Sequence, residues 1–343
     1  MVRSRSNWDE DDVRINKSRQ FGTSNKARPR TKDRPDYSAA QTATIIEVDR
    51  GRVKCLVEGP DGKKVITAMK ARELGKKSVV VGDLVSIVGD ISGDEGSLAR
   101  VVTVLPRKNS LTRSIDDHAN DERVIVANID QMAIVIAAAN PEPRVGLVDR
   151  ALVVAYDQGI TPIIIMTKKD LADGSDFLQI YKDLDILVFK IDKSSDLTAL
   201  QKALLGKTTV LLGHSGVGKS TLVNNLLASS TNRASESLFE KIDRATGDVN
   251  EATGRGRHTS SSAIALPLVD SDGWIIDTPG IRAFGLSHID NQRIVDAFSD
   301  LSEVAANCLS NCSHAESSCK LDAWAAPDGV PNPHRTARLA SLR

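Results

Sequence analysis

The chain has 343 residues, with 45 basic and 45 acidic side chains balancing to zero, 41% hydrophobic and 26% charged residues. That length accommodates two or three domains of about 100–200 residues each, and the composition is ordinary for a globular protein. Apolar runs such as Met132–Ala139 fall far short of the roughly 20 residues of a membrane span, no apolar leader stretch follows Met1, and four cysteines make no disulfide framework, so a cytoplasmic chain without a membrane partner is expected.

Residues 1–37 read as a disordered basic arm. The first 36 carry ten Lys/Arg and six Asp/Glu with almost no apolar content, too little to offset the entropy of ordering. A solvated tail and a tail with a partner fit equally well. Short Val- and Ile-rich strands follow, expected at Thr44–Val48, Arg52–Val57, Val65–Thr67, Val79–Val81, Leu84–Val88 and Arg100–Val104, with turn signals DRG, EGPDG, GD and SGDEG between them. Five or six strands over residues 38–106 suit a small β-barrel of the OB type. Its loop Lys70–Lys77 holds four basic residues and reads either as a phosphate contact or as a plain solvated loop.

After Pro106 the pattern changes. Gln131–Ala138, Thr161–Thr167, Ile186–Phe189, Thr208–Leu212 and Trp274–Ile276 are continuous apolar runs, as in parallel strands buried on both faces. Val145–Ala155 and Ser220–Leu227 are helix candidates between them. Residues 107–285 are therefore expected to form an α/β nucleotide-binding domain. Residues 286–343 hold Asn291–Phe298, a Cys/His cluster and a tail with no strand pattern.

The chemistry lies in three short patterns. Gly213–Ser220 (GHSGVGKS) fits GxxxxGKS between an expected strand and an expected helix, the context that a phosphate-binding loop requires. Its glycines let backbone N–H groups turn toward phosphate oxygens at a helix N-terminus. Gly213, His214, Ser215, Gly216, Val217, Gly218, Lys219, Ser220 and Thr221 are the expected phosphate contacts, with Lys219 on the β- and γ-phosphates and Ser220 on Mg²⁺. Asp277–Gly280 (DTPG) ends the last strand; Asp277 suits a Mg²⁺-bound water, and the Gly280 N–H the γ-phosphate. Thr167–Asp170 (TKKD) ends an earlier strand. There Asp170 can accept two hydrogen bonds from guanine, a pair that adenine does not offer, and the stem of Lys168 can lie over the base.

The order is unusual. In ordinary GTPases the guanine motif follows the phosphate loop, whereas Asp170 precedes Gly213 by 43 residues. A circular permutation accounts for this, because the termini of compact domains often lie close together. With TKKD, GHSGVGKST, GRGRHTS (Gly254–Ser260), DTPGIRAFGL (Asp277–Leu286) and the Cys/His cluster in this order behind a β-barrel, the chain resembles the RsgA family of circularly permuted GTPases of small ribosomal subunit biogenesis. The resemblance implies a Mg²⁺-dependent GTP hydrolase, an expected monomer. It would bind the small subunit and its rRNA late in maturation, with GTP hydrolysis stimulated by the subunit and coupled to release. It further places Thr259 near Mg²⁺ and the γ-phosphate. Ile281 stands where other GTPases carry a water-orienting glutamine, and the resemblance shifts that role to His258. The guanine motif departs from the family by opening with Thr167 rather than Asn. The segment expected to meet the base oxygen is Ile191–Ser194 (IDKS), in which no residue is assigned.

Cys308, Cys312, His314 and Cys319 read C-x3-C-x-H-x4-C, the Cys3His set of a closed structural zinc site, and the family carries zinc here. Free thiols at a helix end fit the spacing as well. Cys55, alone in a strand, reads as core packing. Two other readings share parts of this pattern: an ATP-dependent enzyme using the same phosphate loop, and a non-enzymatic RNA-binding adaptor built from the barrel and the zinc module.

Overall fold

The alternating strands of the N-terminal half close on themselves. The computed structural model describes residues 37, 40–49, 51–59, 62–75, 78–94, 96–114, 122–228, 263–268, 272–278, 289, 291–316 and 318–343. In it β1 (Gln41–Asp49), β2 (Arg52–Gly59), β3 (Gly62–Lys70), β4 (Leu84–Gly89) and β5 (Ala99–Val104) run in the order β1-β2-β3-β5-β4, and β4 pairs back to β1. This is the five-stranded OB-type barrel that the sequence implied. Inward residues Ile45, Cys55, Val57, Ile66, Val85, Ile87 and Val101 fill its core. Burial pushes the Cys55 thiol up to about 12, as befits a packing residue. Of the arm, only Tyr37 falls within the described residues.

One expected strand is absent. Val79–Val81 forms only an isolated bridge from Val81 to Val126. The backbone there is taken up by Asp83, whose buried carboxylate accepts from Val80 N (2.9 Å) and from Arg107 (2.7 Å at Nε). Gly82 then runs against the next strand, where a Cβ would lie 2.0 Å from the Ala127 carbonyl oxygen. A hairpin that the sequence reading passed over, β6 (Ser110–Ser114) and β7 (Glu122–Ala127), receives the barrel here.

The second half is a parallel sheet. β8 (Gln131–Ala137), β9 (Thr161–Thr167), β10 (Leu187–Lys190), β11 (Thr208–Leu212) and β13 (Trp274–Asp277) are parallel in the order β10-β9-β8-β11-β13, and β12 (Ile264–Pro267) pairs antiparallel to β13. Every residue of β8 is buried. Along it Met132, Ile134 and Ile136 join one core cluster, and Ala133, Val135 and Ala137 another, the period-two signature of a sheet covered on both faces. α1 (Val145–Asp157) covers the first face; α3 (Thr198–Leu204) and α4 (Lys219–Ala228) cover the second. A single turn-and-a-half helix, α2 (Ser175–Gln179), sits between β9 and β10.

Barrel and parallel sheet are one hydrogen-bonded surface. β1 pairs antiparallel with β12 (Glu47 opposite Ile264), giving eleven strands in all among the described residues. A register shift between Ile45 and Glu47 marks a bulge in β1. It sends Ile45 into the barrel core and the adjacent Ile46 into the core of the parallel half.

The C-terminal residues form four short helices, α5 (Asn291–Asp296), α6 (Ser299–Ala305), α7 (Lys320–Ala325) and α8 (Pro333–Leu342). Leu301, Leu321 and Leu339 join the core under α1, and α8 packs against α1. α8 carried a readable signal: Asn332 caps it by accepting from His334 N and Arg335 N, and Pro333 occupies the first turn.

Candidate functional site

The chain runs β8, β9, β10 outward on one side, then returns so that β11 lies on the other side of β8. Loops leaving the C-terminal ends of strands diverge at such a reversal and leave a crevice. The loop after β11 is GHSGVGKS, and it opens α4. Gly213 is dictated by contact: a Cβ there would lie 2.3 Å from the Val135 carbonyl oxygen in β8. Gly218 is dictated by its φ of +93°, a conformation that L side chains avoid. Between them Val217 is buried beneath the loop, whereas Ser215, Gly216, Ser220 and Thr221 face outward.

Lys219 lies over this loop. Its ammonium donates to the carbonyls of Gly213 (2.6 Å) and His214 (2.9 Å), and burial lowers its pKa, opposed by the charge of Asp277. Asp277 ends β13 in register with Leu211 and is held by Thr278, whose hydroxyl donates to the Leu211 carbonyl (2.9 Å). Burial raises the Asp277 carboxyl, and Lys219 lowers it in part. Among the described residues its Oδ1 is buried without a hydrogen-bond partner. A buried carboxylate oxygen in that condition is costly unless something charged or protic meets it. A carboxylate so placed, at the end of the strand next to β11, fits a hydrated Mg²⁺.

TKKD ends β9, the second strand from β11. Thr167 is buried, and its hydroxyl lies 2.5 Å from the Val217 carbonyl oxygen and 3.2 Å from that of Ile136. Lys168, at φ +56°, turns its ammonium to the Asn140 carbonyl on the loop after β8. Asp170 is exposed at the mouth of the crevice. The loop after β10 arrives beside it. Ile191 N donates to Met166 O (2.8 Å), Lys169 N to Ile191 O (3.2 Å), and the Lys169 ammonium lies 3.7 Å from Asp192. Asp192 shapes this loop by accepting from Ser194 N and both serine hydroxyls, which also hold its carboxyl below the usual carboxylate range. The sequence reading assigned no residue in IDKS; the Asx-turn pattern D-x-S-S was the signal that could have singled it out.

Thus Thr167, Lys168, Asp170, Gly213–Thr221 and Asp277 all lie along one edge of one sheet. His258, Thr259 and Gly280 lie outside the described residues.

Residues 104–287, more than half of the chain, match the family described as RsgA GTPase. The chain belongs to the RsgA GTPase family. Among the family's members, it is 35% identical over 271 residues to the small ribosomal subunit biogenesis GTPase RsgA of Nitrosomonas europaea, covering 76% of this chain and 79% of that one. It is 32% identical over 312 residues to that of Pseudomonas aeruginosa, covering 88% and 84%. Two solved structures share the fold. YjeQ from Thermotoga maritima aligns at a TM-score of 0.63 with 22% identity, covering 88% of this chain and 97% of that one. YloQ, described as a circularly permuted GTPase, aligns at 0.60 with 24% identity, covering 90% and 95%. With membership in this family the chain is a GTP hydrolase, and the two rival readings lose their ground.

The Cys/His cluster is a second, separate construction. The ligand atoms of Cys308, Cys312, His314 and Cys319 all lie within 4.8 Å of one another. Cys308 and Cys319 sulfurs are 3.8 Å apart, and Cys319 Sγ is 3.6 Å from His314 Nδ1. A tetrahedron with metal–sulfur bonds of about 2.3 Å and metal–nitrogen bonds of about 2.0–2.1 Å has edges of about 3.8 and 3.6 Å, so the set fits zinc. Asn311 and His314 take positive φ (63° and 61°) to bring the loop round. Arg343 fastens it, donating to the His314 carbonyl (2.8 Å) and pairing with Asp322 (2.8 Å).

Proposed function

We propose that this chain is a cytoplasmic, monomeric GTPase that binds the maturing small ribosomal subunit, is stimulated by it, and leaves when GTP is hydrolysed. The observation that carries this reading is the convergence of TKKD, the phosphate loop and Asp277 on one edge of a parallel sheet although the chain delivers them in permuted order. The names of the relatives supply the ribosomal context.

Asp170 takes the guanine edge, with Lys168 and Thr167 behind it. Gly213, His214, Ser215, Gly216, Val217, Gly218, Lys219, Ser220 and Thr221 surround the phosphates, and Lys219 gives up its two carbonyl partners to reach them. Ser220, Asp277 and Thr259 would hold Mg²⁺, which when bound would supply positive charge to the transferring phosphoryl group. The Gly280 N–H meets the γ-phosphate, and His258 orients the attacking water. Cys308, Cys312, His314 and Cys319 would hold one structural zinc, which when bound would tie the C-terminal segment together. The working units are an arm at 1–37, a barrel at 38–106, the GTPase domain at 107–285 and a zinc module at 286–343.

The barrel supplies a surface suited to RNA. Arg52, Met69 and Arg100 form a cross-strand row over β2, β3 and β5, all exposed, with Lys70 and Arg72 following. Two guanidinium groups flanking an apolar side chain suit a phosphate backbone with a stacked base.

The test is GTP hydrolysis by the full chain with and without purified small ribosomal subunits. Turnover is expected to rise in their presence, and the GTP-loaded chain to bind them more tightly than the GDP-loaded one. His258→Ala should lower the stimulated turnover while leaving GTP affinity intact. Equal turnover with and without subunits, at equal affinity in both nucleotide states, would overturn the ribosomal reading.

A further inference from the structure

We infer that Thr167 is a positioning residue for the phosphate loop and not a reader of the base. The inference rests on the nucleotide site proposed above. It starts from a hydroxyl's single proton. Thr167 Oγ1 has two carbonyl oxygens within reach, Val217 at 2.5 Å and Ile136 at 3.2 Å, and can donate to only one of them at a time. Both lie on the protein side, and the side chain is 6% exposed. Its only proton is committed within the protein, so it has none left for the acceptor atoms of a guanine ring. The Asn of the family pattern carries two amide protons and can serve the loop and the base together. A threonine cannot.

What the hydroxyl does instead follows from the geometry of a trans peptide. The carbonyl and the N–H of one peptide plane point in opposite directions. Drawing the Val217 carbonyl back toward β9 therefore turns the Gly218 N–H the other way, into the hollow of the loop where an anion's oxygens are cradled. Two more contacts hold the same peptide. The Val217 side chain is buried beneath the loop, with its Cγ2 placed 3.1 Å from where a Cβ on Gly213 would lie. Thr167 Oγ1, Cβ and Cγ2 lie 3.7–3.9 Å from the position of a Cβ on Gly218. Thr167 thus supports the loop from behind by contact as well as by its hydrogen bond. Recognition of the base is left to Asp170 and to the Ile191–Ser195 loop.

The signature is a loss of nucleotide affinity that ignores the base. Dissociation constants for GTP, for 7-deaza-GTP, which lacks the N7 acceptor, and for 6-thio-GTP, whose sulfur is a weak acceptor in place of O6, would be measured on the full chain and its variants. Thr167→Val keeps the shape and removes the donor. It should weaken all three nucleotides by one common factor, about tenfold, the usual effect of one lost buried hydrogen bond with its partner left unpaired. Thr167→Ser restores the donor and should recover wild-type affinity to within about twofold. Asp170→Asn provides the contrast, shifting preference from GTP toward xanthosine triphosphate. Should Thr167→Val fail to fold, Thr167→Ala is read by the same ratios. A change in the ratio of GTP affinity to that of either analogue in a Thr167 variant without the hydroxyl, or unchanged GTP affinity, overturns the inference while leaving the GTPase reading intact. A wild-type chain that binds no GTP overturns both.

Discussion

The phosphate loop and the Cys3His cluster hold their groups by opposite means. The loop is made of backbone, and its shape is enforced from outside by a deep core: Val135 beneath Gly213, the buried Val217 side chain and the hydroxyl of Thr167. The cluster is made of side chains, carried on a loop between α6 and α7, which are only seven and six residues long. Helices of that length are marginal alone. A site inside a large core keeps its form whether or not a ligand is bound. A site at the margin of the core would take its form from an ion bound there.

Zinc removal gives the largest expected effect. Chelation, or Cys308→Ser, should open residues 306–319 to protease, a loss of several kcal/mol for that segment. GTP affinity should change by no more than about twofold. Metal content of one zinc per chain and a cleavage map check this; an uncleaved segment in the metal-free chain would erase the contrast. Next comes Lys219→Ala. Turnover should fall by about a thousandfold, with a thermal midpoint within about 2 °C of the parent, because the two hydrogen bonds that its ammonium gives the loop are offset by the cost of burying that charge. A large fall in the midpoint would show that the two sites are alike after all.

The smallest effect concerns the place where the C-terminal helices meet the GTPase half. Asp149 on α1 is buried, with Ser341 and Tyr181 as hydrogen-bonding neighbours and Arg338 and Asp300 as nearby charges. Burial raises its pKa, and Ser341 and Arg338 oppose the rise. A carboxyl raised by folding contributes stability that is full below its unfolded value, about 4, and is lost as pH climbs through the folded one. Asp149→Asn should therefore gain stability relative to the parent as pH rises from 4 toward 7. Parallel curves in a denaturation series over that range would count against it.

Much of this was legible in the chain. The parallel strands announced themselves because burial on both faces leaves no polar residue to break the run, as in Gln131–Ala138. The phosphate loop was readable because its geometry demands glycine at two positions and a lysine at a third. Val79–Val81 misled because β-branched residues favour strands locally, while a buried aspartate three residues on claimed the backbone. The hairpin β6–β7 was hidden by the charged stretch that divides it. Pairing across distant segments, as between β1 and β12, leaves little local mark, since one edge residue looks like another. The role of Thr167 was out of reach for the same reason: its partner at Val217 lies 50 residues away.

The pairing of β1 with β12 has a mechanical consequence. β12 starts four residues after Ser260, at the end of the segment that holds His258 and Thr259, and its other edge is bonded to the strand that carries Asp277. A load applied to the barrel therefore reaches the strand that carries Asp277 through the β1–β12 and β12–β13 pairings. Barrel and nucleotide-site sheet are thus coupled strand to strand, and what strains one is felt by the other.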